Sequence, residues 1–366
     1  MQKVLIAMSG GVDSSVAAFI LKQQNYDCIG AMMKLYAADE TDTSLASNSR
    51  GCCSIIDAED ARAVATALGI PFFVFNFTDS FEEQVMTRFI TAYRQGRTPN
   101  PCIDCNRFMK FEKLLQRAAE LDAAYIATGH YASVTHQNGR YLLKRSADAS
   151  KDQTYVLYAM TQAQLAKTLF PLGGLTKDEV RGIASNLKFT TADKRDSQDI
   201  CFAPDGDYAG FIERHTGQSS PKGDFISPDG QVLGQHKGII HYTIGQRKGL
   251  GLYGPAPQYV SALDPMANTV TVGSSEYLFA SSLTAHDINL IPFDKLDGPL
   301  NVQAKIRYSH PAQPAKLWQT GPDELHVEFE SPQRAITPGQ AVVLYDGDIV
   351  IGGGTIVYDV RREGWT

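Results

Sequence analysis

Apolar residues in the first third of the chain fall in short unbroken runs, separated by stretches of helical spacing. Residues 4–8 (Val-Leu-Ile-Ala-Met) form one run, 28–33 a second, 72–77 a third and 125–128 a fourth. Each reads as a strand, the first of them buried. Between the first two, Val16, Ala17, Ile20 and Leu21 recur at helical spacing within residues 15–23. Between the second and third, Ile55, Ala58, Ala61, Val64, Ala65 and Leu68 do the same, with Ser54 placed to cap the helix and Gly69 to end it. Residues 37–51 are small and polar and read as a loop. Strands alternating with helices predict an α/β domain with a doubly wound parallel sheet, whose ligands bind at the carboxyl ends of the strands.

The texture changes after about Cys201. Asp229-Gly230 and Asp346-Gly347 are hairpin signals, and Asn138-Gly139 is an earlier one between residues 131–136 and 141–144. Residues 302–308, 325–330, 341–345 and 349–360 read as successive strands of a small C-terminal antiparallel β-barrel. Three domains are expected: 1–205, a small central domain at 206–283, and 284–366. A length of 366 residues agrees, being too great for one ordinary core.

Composition changes this picture little. At 43% apolar and 20% charged the chain belongs with folded globular proteins. It has no apolar run of about 18 residues to cross a membrane. A strand at residues 4–8 leaves little room for a cleaved leader, and a cytoplasmic protein is expected. Six cysteines are too sparse for a disulfide scaffold and are expected as thiols.

The net charge of −6 argues against a nucleic-acid partner, but its distribution argues back. Arg94, Arg97, Arg107, Lys110, Lys113 and Arg117 face only Asp104 and Glu112 in their segment. Residues 230–263 hold Lys237, Arg247 and Lys248 without an acid, as 298–322 hold Lys305, Arg307 and Lys316. Such segments can form local basic faces for phosphates, or ordinary solvated surface.

Two constellations carry chemistry. Ser9-Gly10-Gly11-Val12-Asp13-Ser14-Ser15 lies between a predicted strand and a predicted helix, where backbone N–H groups and the helix dipole bind an anion. It lacks the Gly-Lys-Ser/Thr ending of a Walker A loop. The plain alternative is a glycine-rich turn. The second is Pro99-Asn100-Pro101-Cys102-Ile103-Asp104-Cys105-Asn106, a Cys-x-x-Cys among basic residues that favour thiolate. Cys201 lies far along the chain in Asp196-Ser197-Gln198-Asp199-Ile200-Cys201-Phe202. Two separated cysteines suit sulfur transfer, one carrying a persulfide and the other resolving it by exchange. The competing readings are an iron–sulfur cluster on Cys102, Cys105 and Cys201, a zinc site, for which a second Cys-x-x-Cys is lacking, and plain buried thiols. Cys28 reads as core packing, Cys52 and Cys53 carry no assignment, and His130 suits either the nucleotide site or a structural hydrogen bond.

The 9–15 loop resembles the PP-loop signature of the ATP pyrophosphatases, which cleave ATP to AMP and pyrophosphate. Taken with Gly96-Arg97-Thr98-Pro99-Asn100-Pro101, Cys105-Asn106, Ala127-Thr128-Gly129-His130-Tyr131, Lys151-Asp152-Gln153, Ser197-Gln198, Ile200-Cys201-Phe202, Gly245-Gln246-Arg247-Lys248-Gly249-Leu250-Gly251 and Thr337-Pro338-Gly339-Gln340, the chain resembles the bacterial tRNA-specific 2-thiouridylases over nearly its whole length. The resemblance implies a PP-loop domain, a linking domain and a barrel. It implies 2-thiolation of the wobble uridine in tRNAs for lysine, glutamate and glutamine, using ATP and Mg²⁺, by a monomer supplied with sulfur by a cysteine desulfurase or a relay protein. By position, Ala7, Met8, Ser9, Gly10, Gly11, Val12, Asp13, Ser14, Met33 and Gly129 would hold ATP. Asn100, Pro101 and Cys102 would meet the target base. Cys105 would be the nucleophile and Cys201 the persulfide carrier, joined transiently as a Cys105–Cys201 disulfide. Lys151, Asp152, Gln153, Arg307 and Tyr308 would contact tRNA. Two positions depart from the pattern: Cys102 stands where the family often has Asp, and Asp199 where some members have Gly. An amide-forming PP-loop synthetase and a non-catalytic tRNA-binding module are the alternatives from other classes.

Overall fold

The computed structural model describes residues 1–36, 55–194, 200–252 and 256–357. The predicted loop at 37–51, the cap at Ser54, Cys52, Cys53 and the run Asp196-Ser197-Gln198-Asp199 lie outside them. Two compact units divide the chain. The first comprises Met1–Met86, Pro101–Gly206 and Asp348–Val350, the second Thr87–Asn100, Asp207–Gly347 and Ile351–Thr366.

The first unit is built on a five-stranded sheet of β1 (Lys3–Ala7), β2 (Asp27–Lys34), β3 (Phe72–Asn76), β4 (Tyr125–Ala127) and Thr168–Leu169. The order is β3-β2-β1-β4 and then Thr168–Leu169, with every neighbouring pair parallel. The predicted doubly wound sheet is therefore present. Helices α1 (Val12–Gln23) and α2 (Ile55–Leu68) follow β1 and β2. Val4, Ile6, Val16, Ala17, Leu21, Ala61, Val64 and Ala65 close the core between helix and sheet. Cys28 sits in that core at 2% exposure, as expected.

The α1 helix begins at Val12, three residues earlier than apolar spacing suggested. The hydroxyls of Ser14 and Ser15 reach back to the Gly11 carbonyl at 3.1 and 2.9 Å, which stitches the first turn together. Hydrophobic spacing cannot register such a turn, because its stabilisation is polar.

The second unit holds two sheets. Gly223–Ile226, Val232–His236, Tyr259–Asp264 and Thr269–Gly273 form the smaller. The larger is a closed barrel of six strands in the order Phe279–Leu290, Glu324–Arg334, Gln313–Gly321, Leu300–Lys305, Ala341–Asp346 and Ile349–Ile356, with the first pairing to the last. Leu283, Ala285, Val302, Leu317, Leu325, Val327, Val342 and Leu344 fill it. Two of its strands escaped the pattern. Phe279–Leu290 is diluted by Ser281, Ser282 and Thr284, and Gln313–Gly321 buries mainly Ala315 and Leu317. The strand expected at 302–308 stops at Lys305, so Arg307 and Tyr308 lie in the turn that returns to Gln313.

Candidate nucleotide and sulfur-transfer site

The carboxyl ends of β1, β2 and β4 share one edge, because Ala7 pairs with Ala31 and Ile6 with Ala127. That edge presents Ala7–Ser14 after β1, Met33 near the end of β2 and Gly129 just past β4. The residues expected to hold ATP are thus brought together from three strands. Gly129 is pressed against the loop, since a Cβ there would stand 2.7 Å from the Ser14 nitrogen. Gly11 caps α1 without a side-chain partner, so the helix N-terminus faces the loop with backbone N–H groups.

The loop is braced from within. The Ser14 hydroxyl accepts from the Ser9 N–H at 3.2 Å while donating to Gly11, and Thr191 donates to the Ser15 hydroxyl at 3.2 Å. The hydroxyls of Ser14 and Ser15 are therefore engaged in shaping the loop. The Asp13 carboxylate turns to the protein as well: Tyr131 donates to its Oδ1 at 2.8 Å, and Lys177 Nζ lies 2.8 Å from both oxygens. Lys177 is only 7% exposed, and its charge is matched by that carboxylate. Sequence reading missed Lys177, Thr191 and Lys194, which contacts the same loop. Their only local signal was the Thr176-x-x-Glu179 capping box that starts the helix carrying Lys177.

His130 follows Gly129 and is 7% exposed. Its Nδ1 lies 2.7 Å from the Thr128 hydroxyl and its Nε2 3.3 Å from Lys110 Nζ. An ammonium only donates, so Nε2 accepts and Nδ1 carries the hydrogen. Burial, with the Lys110 charge adding to it, holds His130 well below its ordinary pKa of 6.5, and the ring is a neutral structural acceptor.

Cys105 opens a nine-residue π-helix, Cys105–Lys113, which follows the short helix Pro101–Asp104. Wide turns of this kind recur at functional sites. Asn106 beside it is 3% exposed and donates to the Val156 carbonyl at 3.1 Å, which pins this end of the helix. Cys102 is exposed and Cys105 half-buried. Cys201, also half-buried, is held near the end of β2: Tyr36 donates to its carbonyl at 3.0 Å, and Phe202 meets Phe81 edge-on at 5.9 Å. Among the described residues no three His, Cys, Asp or Glu side chains gather as a metal site would require. Cys102, Cys105 and Cys201 are among those residues and form no such group.

Of the residues expected to touch tRNA, Asp152 accepts from the Ser146 N–H and the Thr154 hydroxyl, and Gln153 accepts from the Tyr131 N–H at 2.9 Å. Both side chains also shape the turn that carries them. In the second unit Tyr308 is 44% exposed with Lys305 Nζ 5.4 Å from its ring centre. The same unit joins two sequence motifs, as Thr98 donates its N–H to the Pro338 carbonyl at 2.8 Å.

A parallel α/β sheet with a glycine-rich loop between β1 and α1 at its carboxyl edge, and with Cys201 fastened beside that edge, is the arrangement of a PP-loop enzyme. Family models match residues 2–205 (tRNA methyl transferase HUP domain), 209–274 (tRNA methyl transferase PRC-barrel domain) and 280–356 (Aminomethyltransferase beta-barrel domain). The tRNA-specific 2-thiouridylase MnmA of Clostridium acetobutylicum is 51% identical over 97% of this chain and 99% of its own length. That of Lachnoclostridium phytofermentans is 51% identical over 98% and 100%, and that of Clostridioides difficile 50% over 97% and 98%. The chain belongs to the tRNA-specific 2-thiouridylases, a family of tRNA sulfurtransferases.

Proposed function

We propose that this chain carries out ATP-dependent 2-thiolation of the wobble uridine in the tRNAs for lysine, glutamate and glutamine. The observation that carries the reading is the Tyr36–Cys201 hydrogen bond. It fastens the backbone of a cysteine to the sheet edge that bears the nucleotide loop. A nucleotide loop and a cysteine on one sheet edge suit a reaction in which an activated oxygen is replaced by sulfur.

The uracil C2 oxygen is a poor leaving group. Attack of that oxygen on the α-phosphorus of ATP, bound with Mg²⁺ as its substrate complex, forms an O–P bond and expels pyrophosphate. The loop N–H groups between Ser9 and Ser14 hold the anionic phosphates, and Ala7, Met8, Met33 and Gly129 receive the nucleoside. The base is splayed from the anticodon loop onto Asn100, Pro101 and Cys102, which a single strand permits cheaply. The terminal sulfur of a Cys201 persulfide attacks C2 and expels AMP, leaving C2 joined through two sulfurs to Cys201. The Cys105 thiolate attacks the Cys201 Sγ, which breaks the sulfur–sulfur bond, frees the C2 thiocarbonyl and forms a Cys105–Cys201 disulfide. A cellular dithiol reduces that disulfide before the next turnover. Lys151, Asp152, Gln153, Arg307 and Tyr308 contact the tRNA, with Tyr308 exposed for stacking.

The sulfur donor is a desulfurase or a relay protein that passes a persulfide to Cys201. The enzyme acts as a cytoplasmic monomer, with domain boundaries near 205 and 283; no helix among the described residues is long and apolar enough to cross a membrane. The test is incubation with ATP, a persulfide source and tRNA, followed by nucleoside analysis. Wild type should form 2-thiouridine with one AMP per product, and Cys201→Ser and Cys105→Ser should form none. ATP cleavage without tRNA that survives Cys201→Ser would reveal an amide-forming synthetase instead, and no AMP at all a binding module.

A further inference from the structure

Outside the loop sits a lysine whose ammonium bonds both to the loop and to two carboxylates of α2. Lys194 Nζ donates to the Gly10 carbonyl at 3.0 Å, to Asp57 Oδ1 at 2.5 Å and to Asp60 Oδ2 at 2.8 Å. A trans peptide points its carbonyl and the next N–H in opposite directions. Turning the Gly10 carbonyl onto Lys194 therefore turns the Gly11 N–H away from it, at the N-terminus of α1. Only glycine fits at this position: its φ is +73°, and a Cβ would stand 2.2 Å from the Asp57 carbonyl oxygen. Asp57 thus packs on Gly10 through its backbone and grips Lys194 through its carboxylate.

Two carboxylates more than offset the one ammonium, so the cluster adds no net positive charge beside the phosphates and orientation is what the lysine supplies. Burial works against the charge, but the bonds to Asp57 and Asp60 outweigh it and hold Lys194 above the ordinary lysine range. We propose that Lys194 is a positioning residue for ATP, acting through the Gly10–Gly11 peptide to aim the Gly11 N–H at the nucleotide phosphates. This rests on reading the 9–14 loop as the ATP site.

The experiment compares wild type with Lys194→Met, Lys194→Arg and Asp60→Asn in MgATP titrations of AMP release, alongside filter binding of tRNA. Lys194→Met should raise the KM for MgATP about tenfold, the worth of one charge-assisted hydrogen bond. Its kcat at saturating MgATP should fall far less, and tRNA affinity should hold. Lys194→Arg should recover most of the loss. A folded Lys194→Met with the wild-type KM, or one that loses tRNA affinity in parallel, overturns the proposal. If that variant does not fold, Asp60→Asn decides, because it loosens the lysine without touching the loop: a raised KM supports the assignment and an unchanged KM overturns it. A wild type that releases no AMP and binds no MgATP would instead refute the functional reading itself.

Discussion

Gln340 donates its side-chain N–H to the carbonyl of Thr98 at 2.8 Å, across 242 residues of sequence. With the Thr98 N–H on Pro338, it clamps the run that leads to Asn100 and Pro101 against the Thr337-Pro338-Gly339-Gln340 turn. Within the second unit the backbone two residues before Asn100 is thereby held by that turn. Gln340→Ala leaves the Thr98 carbonyl without this donor, at about 1–2 kcal/mol. The kcat/KM for tRNA should fall roughly five- to thirtyfold, with the KM for ATP unchanged. Steady-state kinetics with each substrate varied checks this, and an unaltered tRNA dependence would remove the clamp from the mechanism.

Gly129 admits no side chain. A methyl group there would meet the Ser14 nitrogen at 2.7 Å and the Asp13 carbonyl carbon at 2.8 Å, both backbone atoms of the loop. Gly129→Ala should push the loop off its position and weaken ATP binding by about five- to thirtyfold, as a loss of about one to two kcal/mol implies. Isothermal titration with MgATP would show it; binding equal to wild type would mean that the loop yields freely.

The pH dependence of stability should carry a signature of His130. Its folded pKa lies below the ordinary 6.5, so between those two values the unfolded chain binds more protons. Stability from this group is complete above about pH 6.5 and is lost as pH falls, at up to about 1.4 kcal/mol per pH unit. Protonation would add a second charge beside Lys110 and leave Nε2 with a hydrogen and no acceptor. Denaturant midpoints between pH 7 and 5 should fall less steeply in His130→Gln than in wild type. Parallel slopes would contradict the buried neutral ring.

The thiols should separate by reactivity. Burial pushes Cys28 up to about 11, while Cys102 is exposed. Iodoacetamide at pH 7.5 should label Cys102 in the native protein and reach Cys28 only on unfolding. Peptide mass spectrometry over time reads the order, and early labelling of Cys28 would place it outside the core.

Much of this molecule is written locally. The runs at 4–8, 28–33 and 125–128 made β1, β2 and β4 because covering both faces of a parallel strand demands continuous apolar residues, whereas the run at 72–77 made the edge strand β3, where Phe73 and Val74 stay exposed. Their alternation with helices fixed the sheet type, and the loop at Ser9–Ser14 followed from glycines set between a strand and a helix. Barrel strands whose inward residues are as small as Ala280 and Ala315 left too weak a periodicity to read. The wide turns of Cys105–Lys113 carry no residue code of their own.

Only the tertiary structure decided what holds the loop in place. Lys177 reaches Asp13 across 164 residues and Lys194 reaches Gly10 across 184, and a lysine's sequence neighbours do not reveal which carboxylate or carbonyl it will meet. Local sequence specifies backbone conformation and burial, because those depend on near neighbours and on hydrophobic spacing. Directed polar contacts between distant segments exist only once the core has packed and set their donors and acceptors at hydrogen-bond distance.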